Sequence, residues 1–247
     1  MNPALLSVEA TAPLWLYGIR RAGEAASFDA EPLPGGGAIG VVPAGEVELL
    51  AGAAPEGEVR RTRRNMLAHA RALEAAAAAA AVLPMRFGVV HTASEAAAAA
   101  QAREVELRDR LDELEGLGEF GLRISWPEEA VYAALAAAHP DLARLRQEIA
   151  RKGQGAREAM IDLGRRVSEA MSARRGAAQK SLLNSLRPLT ADHRLRAPES
   201  EFEALRMEIL LHRRDENAFL DAVAAAAERT AYAAGPPVIR WVGPSAP

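Results

Sequence analysis

The sequence predicts an α+β protein of two domains: an N-terminal mixed α+β domain over residues 1–117 and a C-terminal ferredoxin-like domain over residues 118–247. Three observations predict it. Short segments of period-two apolar alternation are interspersed with alanine-rich segments of helical period. From Glu119 onward the elements run β-α-β-β-α-β, the split βαβ order, with the first helical element doubled into a long helical hairpin insertion. Between the halves, Gly116 and Gly118 interrupt both patterns and mark a boundary.

In the first domain, Leu14–Arg20 is expected as a strand. Trp15, Tyr17 and Ile19 fall on one face and Leu14 and Leu16 on the other, so it suits the centre of a sheet. Gly23–Gly37, rich in glycine, proline and small residues, reads as a loop. Ala38–Val42 is a second strand, stopped by Pro43. Val47–Ala51 fits either a third strand or a short helix. Thr62–Ala81 is expected as a helix, because alanine has the best helix propensity and Met66, Leu67, Ala70, Leu73 and Ala77 form an apolar stripe. Val82–Val90 follows as a strand with Met85, Phe87 and Val89 on one face. Ser94 is the expected N-cap of a helix running to about Glu115, which Gly116 and Gly118 end.

In the second domain, Glu119–Trp126 alternates cleanly, with Phe120, Leu122, Ile124 and Trp126 on the buried side. Pro127 suits the first turn of a helix. Val131, Leu135, Ala138, Leu142, Leu145 and Ile149 recur at spacings of four and three, a coiled-coil-like seam that Pro140 breaks near His139. Gly153 and Gly155 interrupt the pattern. A second helix, about Ala156–Lys180, carries Met160, Leu163, Val167 and Met171 and completes an αα-hairpin. Leu182–Thr190 is expected as a strand and Ala191–Ser200 as a polar loop. Phe202–Leu211 is a strand with Leu205, Met207, Ile209 and Leu211 on one face, Glu216–Ala233 a helix, and Pro237–Val242 a last strand.

Composition narrows the function. A net charge of −3 makes long-range attraction to nucleic acid or an anionic membrane no default expectation. With no cysteine, neither a disulfide framework nor a thiolate metal site is available, which fits a reducing cytoplasm. The N-terminus lacks the basic flank and long apolar run of a signal peptide. The Ala75–Ala81 run is too short to span a bilayer.

Catalytic patterns are missing. There is no Walker-type phosphate loop and no GxGxxG after a strand; Pro34–Gly37 precedes a strand, whereas a phosphate cradle feeds a helix N-terminus. His69, His91, His139, His193 and His212 lack partners at zinc-binding spacing, and each is expected to be solvated or locally hydrogen-bonded. Asp112/Glu113 and Glu128/Glu129 sit on ordinary solvated helix faces. The reading is therefore of a non-enzyme without catalytic, cofactor-binding or metal residues. Two basic features remain: Arg60, Arg61, Arg63 and Arg64 at a helix start, and the segment Arg144–Arg187. The latter is a solvated face or a docking surface for an acidic protein or nucleic acid; base-stacking aromatics are not interleaved with it.

Val82–Val90, VLPMRFGVV, carries a helix-following Leu-Pro-Met-Arg-Phe-Gly that resembles the signature of the gas vesicle L/F (GvpL/GvpF) family. Trp15–Ile19 resembles the family's opening strand, Glu119–Ile124 the strand opening its second domain, and Arg187–Leu189 a later match. The ordered set spans nearly the whole chain. The resemblance implies two α+β domains, the second ferredoxin-like. It also implies an assembly role through contact with the small hydrophobic shell protein and other accessory proteins, in the cytoplasm or as a minor component of the gas vesicle. Pro84, Arg86, Phe87 and Gly88 are the candidate partner-binding residues. Phe87 is most simply core. Arg86 alternates to the other side, as a structural ion pair or as a partner-binding anchor. Two other classes stay open: a nucleic-acid-binding or regulatory module on the basic helices 144–187, and a small-molecule enzyme on the ferredoxin-like sheet.

Overall fold

A computed structural model describes residues 11–23, 30–152 and 157–245. The N-terminal stretch 1–10, the 24–29 part of the expected loop, the Gly153–Ala156 interruption and the last two residues lie outside the described residues. Contacts divide the chain into two compact units, one running to Glu119 and taking in the segment from Pro244, the other spanning Phe120–Gly243. The fold is mixed α+β, with two sheets and, among the described residues, seven α-helices.

The first unit holds β1 (Pro13–Arg21), β2 (Gly40–Ala44), β3 (Val47–Ala53), β4 (Leu83–Pro84) and β5 (Val90–Thr92), and helices α1 (Arg63–Ala77), α2 (Ala93–Gln101) and α3 (Glu104–Leu114). The sheet runs β2-β3-β1-β4, with β5 also on β1. β1 is central and buried from Leu14 to Arg20, as a strand apolar on both faces should be. One face packs Trp15, Tyr17, Val41 and Leu50 against Leu73 and Ala76 of α1. The other packs Leu14, Leu16, Ile19 and Leu49 against Ala96 and Ala100 of α2 and Leu111 of α3. Ile19 thus joins Leu14 and Leu16, not Trp15 and Tyr17. A register shift between Leu16 and Gly18 inverts the alternation, since one extra residue in a strand turns every later side chain to the opposite face. The undecided Val47–Ala51 segment is strand β3, tied to β2 by a two-residue turn that sets Ala44 opposite Val47.

Helix α1 starts after Thr62, whose side chain accepts from the Asn65 backbone N–H at 3.2 Å. It ends at Ala77 rather than Ala81, because the chain turns there to bury Ala81 and Val82. Its buried line is His69, Ala72, Leu73, Ala76 and Ala77, a stripe of spacing i, i+3, i+4, i+7, i+8. Met66 and Leu67, expected in the stripe, are 49% and 43% exposed. The residue that caps α2 is Thr92, not Ser94: Thr92 and Glu95 bond each other's backbone N–H groups in a capping box. The single helix expected to Glu115 is two, α2 and α3, broken at Ala102–Arg103.

The second unit holds most of β6 (Leu117–Ser125), then α4 (Glu128–Ala138), α5 (Pro140–Lys152), α6 (Arg157–Leu186), β7 (Asp192–Leu195), β8 (Glu203–His212), α7 (Glu216–Glu228) and most of β9 (Val238–Ser245). Its sheet runs β7-β8-β6-β9. β6 and β8 alternate as expected, burying Phe120, Leu122 and Ile124, and Leu205, Met207, Ile209 and Leu211. The break at His139 separates α4 from α5, where Pro140 removes a backbone donor. α6 runs 30 residues and absorbs most of the strand expected at Leu182–Thr190. Ala178, Leu182 and Leu186 recur every four residues and are buried, so helical burial wins over the local apolar run. The missing strand is β7, inside the expected polar loop Ala191–Ser200, paired antiparallel with β8 from Asp192↔Leu210 to Leu195↔Met207. α7 stops at Glu228, short of Ala233; the Arg174 guanidinium accepts nothing and donates to the carbonyls of Ala231 (2.8 Å) and Tyr232 (2.5 Å) just beyond. Trp241 of β9 stacks on Phe120 at 4.7 Å. No helix among the described residues is long and apolar enough to cross a membrane.

Candidate functional site

The segment expected as the strand Val82–Val90 runs along the outside of β1 in two short pairings. Leu83 and Pro84 pair with Ile19 and Gly18, and Val90 to Thr92 with Trp15 to Pro13. Between them, the Met85 N–H donates to the Tyr17 carbonyl at 2.8 Å and the Leu16 N–H to the Val89 carbonyl at 3.0 Å. Arg86, Phe87 and Gly88 form a bulge between those two bonds, with a turn at Phe87 and Gly88. Gly88 has φ 98°, a backbone conformation that L side chains rarely adopt. The bulge breaks the alternation expected here. Met85 and Val89 pack on the side of α2 and α3, and Phe87 on the side of α1.

Phe87 closes an aromatic cluster. Its ring meets Trp15 edge-on at 4.8 Å and His69 at 5.7 Å. Tyr17 stacks on His69 at 5.3 Å, and its hydroxyl accepts from the Leu33 N–H at 3.0 Å. The Trp15 indole N–H donates to His69 Nδ1 at 3.1 Å. His69 Nε2 lies 3.0 Å from the Met85 carbonyl oxygen. An indole only donates and a carbonyl only accepts, so the imidazole is neutral and carries its hydrogen on Nε2. Burial lowers the His69 pKa, consistent with that form, and burial raises that of Tyr17. The expectation of solvated or locally bonded histidines is corrected for His69, which is buried and joined to a residue 54 positions away. The legible signal was its position on α1, three and four residues before Ala72 and Leu73.

The family-motif residues are therefore divided. Pro84, Arg86 and Gly88 are exposed, and Phe87 is half-buried. Arg86 has no hydrogen bond or ion pair among the described residues, against its reading as a structural ion pair. Arg60, Arg61, Arg63 and Arg64 are exposed and equally without side-chain partners there. On the other side of the segment, Met85 and Val89 line a cleft of about 350 Å³ with Leu16, Ile19, Leu49 and Ala96. A larger apolar groove of about 630 Å³ opens among α4, α5 and α6 in the second unit.

Asp112 pairs with Arg21, and Glu113 with Arg110 at 2.7 Å. Glu128 and Glu129 are exposed at the start of α4. Along the basic segment, Arg165 pairs with Asp162 and Glu169, each at 2.7 Å, and Arg166 with Asp162 at 2.8 Å. No group of three or more His, Cys, Asp or Glu among the described residues could hold a metal ion.

Two helix-backed sheets, with an apolar groove in each unit, define a protein of the mixed α+β class. Residues 13–247 match the model of the gas vesicle synthesis protein GvpL/GvpF family, and the chain belongs to that family. It is 32% identical to gas vesicle protein F of Streptomyces sp. (strain CB03234) over 180 residues, 72% of this chain and 75% of that one. It is 28% identical to gas vesicle protein F of Nostoc sp. (strain PCC 7120) over 132 residues, about half of each chain at 52% and 54%. The crystal structure of GvpF from Anabaena sp. PCC7120 has the same fold, with a TM-score of 0.74 over 96% of this chain and 97% of that one at 22% identity. So has that of GvpF from Microcystis aeruginosa, with a TM-score of 0.66 over 96% and 98% at 21% identity. The chain's role is thus a gas vesicle role.

Proposed function

We propose that this protein is a non-enzymatic gas vesicle assembly factor that binds the small hydrophobic shell protein and other accessory proteins, and that it works in the cytoplasm or as a minor component of the vesicle. Its two domains are read as 1–117 and 118–247, the second in the ferredoxin-like arrangement. The β-α-β-β-α-β order and the sheet order β7-β8-β6-β9 support that reading.

The observation that carries the functional reading is the motif segment Pro84–Gly88. Its backbone is fixed to β1 and to His69, while Pro84, Arg86 and Gly88 face outward. A rigid base with an unpartnered arginine is the geometry of an interface anchor, since little conformational freedom is lost on docking. Pro84 at the sheet edge also limits unwanted strand pairing, a useful property in a partner of an aggregation-prone shell subunit. The basic helices favour nucleic acid less, because Arg165 and Arg166 are already paired within α6.

The test is complementation. In a gas-vesicle-forming host lacking this gene, the wild-type chain should restore buoyant vesicles and co-purify with shell protein. Arg86→Glu should fold normally, because nothing described depends on Arg86, and should lose shell protein from the purified complex. Vesicles that form normally without the gene, in a host with no second copy of the family, would sink the reading.

A further inference from the structure

We propose that the groove among α4, α5 and α6 is a docking site for an amphipathic helix with carboxylates beside its apolar face, supplied by a gas vesicle partner; this rests on the assembly reading above. The groove has three helical walls. Leu135 of α4 and Leu142 of α5 form the buried floor, 3% and 7% exposed. Tyr132, Leu163 and Val167 line it above them. Tyr132 is 41% exposed, its ring held edge-on against Phe202 at 5.6 Å. One turn before Leu163, Met160 is 53% exposed. An open apolar surface of this extent is a usual mark of an interaction site.

The walls select the occupant's backbone. Three helices have no spare N–H or C=O groups along their sides, so an extended peptide lying there would leave its own backbone groups unpaired. A helix satisfies them internally and packs its side-chain ridges between those of the walls. The charge selects the occupant's flank. Among the described residues, Arg146 is the one charged residue lining the groove, and it is exposed and without an ion pair there. Arg144 and Arg151 on the same helix are likewise exposed without a partner there. A carboxylate on the incoming helix would pair with Arg146 at the edge of an apolar contact, where such a pair governs preference more than bulk affinity. Nucleic acid fits less well: its bases would meet a floor of leucines and one tyrosine, without a stacking platform.

The experiment uses the full chain and two labelled peptides of about 16 residues, long enough for a marginal helix. Each carries leucines at i, i+3 and i+7; one has glutamates beside them and the other lysines. Fluorescence anisotropy should show the glutamate peptide binding the wild-type chain more tightly, and Arg146→Glu should invert the preference, each by about five- to tenfold. Ala143→Trp, which fills the groove, should abolish binding of both; if that variant unfolds, the Arg146→Glu comparison decides. Failure of both peptides to bind, equal binding of the two, or indifference to Arg146→Glu overturns the proposal. So does duplex DNA binding that Arg146→Glu removes while neither peptide binds. Normal vesicles from an Arg146→Glu chain that has lost the peptide would also overturn the groove as the docking site, and would leave the assembly reading standing.

Discussion

The indole N–H of Trp15 and the carbonyl of Met85 hold the His69 ring from opposite sides, at 3.1 Å on Nδ1 and 3.0 Å on Nε2. One strand, one helix and the family-motif segment are thereby joined through a single neutral imidazole. A proton on Nδ1 would face the indole N–H, donor against donor.

That arrangement sets a pH dependence. Burial lowers the pKa of His69 below its ordinary 6.5, so between the two values the unfolded chain binds the proton and the folded chain does not. The stabilising contribution is complete above about pH 6.5 and is lost as pH falls towards the folded value. Denaturant midpoints measured from pH 8 down to about pH 5 should therefore fall in the wild type. His69→Gln keeps a donor and an acceptor without a titration, and should flatten that fall. An equal fall in both proteins would place the titrating group elsewhere.

Two glycines, Gly18 beside the motif and Gly88 within it, should respond for different reasons. A Cβ on Gly18 would sit 2.8 Å from Val82 Cγ1 and 2.9 Å from the Leu83 carbonyl oxygen, and the latter is backbone that cannot step aside. Gly18→Ala should cost about 2–4 kcal/mol in equilibrium unfolding. Gly88 has nothing within 4 Å but a φ of 98°. Gly88→Ala should cost only about 1 kcal/mol, and Gly88→Asn less, because asparagine tolerates positive φ better. The reverse ranking would contradict the close approach at Gly18.

Much of this architecture was legible wherever periodicity and burial agree. β6, β8 and the Pro140 break follow from spacing alone, since a period of two or a missing donor has one local consequence. Errors came where a tertiary partner decides. His69 outranks Met66 and Leu67 in the core only because Trp15 and Met85 supply partners for both its nitrogens. Leu182 and Leu186 are helical because the second unit's core extends to them, though the local run reads as strand. β7 has four residues, and only Leu195 is strongly apolar; its existence depends on the edge that β8 offers. At the motif, the residues were legible, but the bulge that parts Phe87 from Met85 and Val89 was not. Gly88 permits it without requiring it.

The buried pair of Arg20 and Glu48 faces each other across β1 and β3, with Nε to Oε1 at 2.7 Å and Arg20 fully buried. Neutralising one member of such a pair weakens the compensation of a charge that water cannot reach. Glu48→Gln should lower unfolding free energy by about 3 kcal/mol while leaving the far-UV spectrum intact. A loss below about 0.5 kcal/mol, the ordinary scatter of surface changes, would mean that the Glu48 carboxylate is not what compensates the buried guanidinium.

The long helix α6 contains Gly164 and Gly176, and a Cβ at either position meets nothing within 4 Å. Glycine in a helix interior loses more backbone freedom on folding than alanine, by about 0.5–1 kcal/mol at each site. Gly164→Ala and Gly176→Ala should each stabilise the second unit by roughly that amount, and together nearly additively, as the sites lie far apart along one helix. Denaturant unfolding followed by helix signal measures it. If residues 182–186 were a strand, as their apolar run suggests, α6 would end earlier and Gly176→Ala would gain much less than Gly164→Ala. Equal gains at the two positions are therefore also a test of the helix continuing to Leu186.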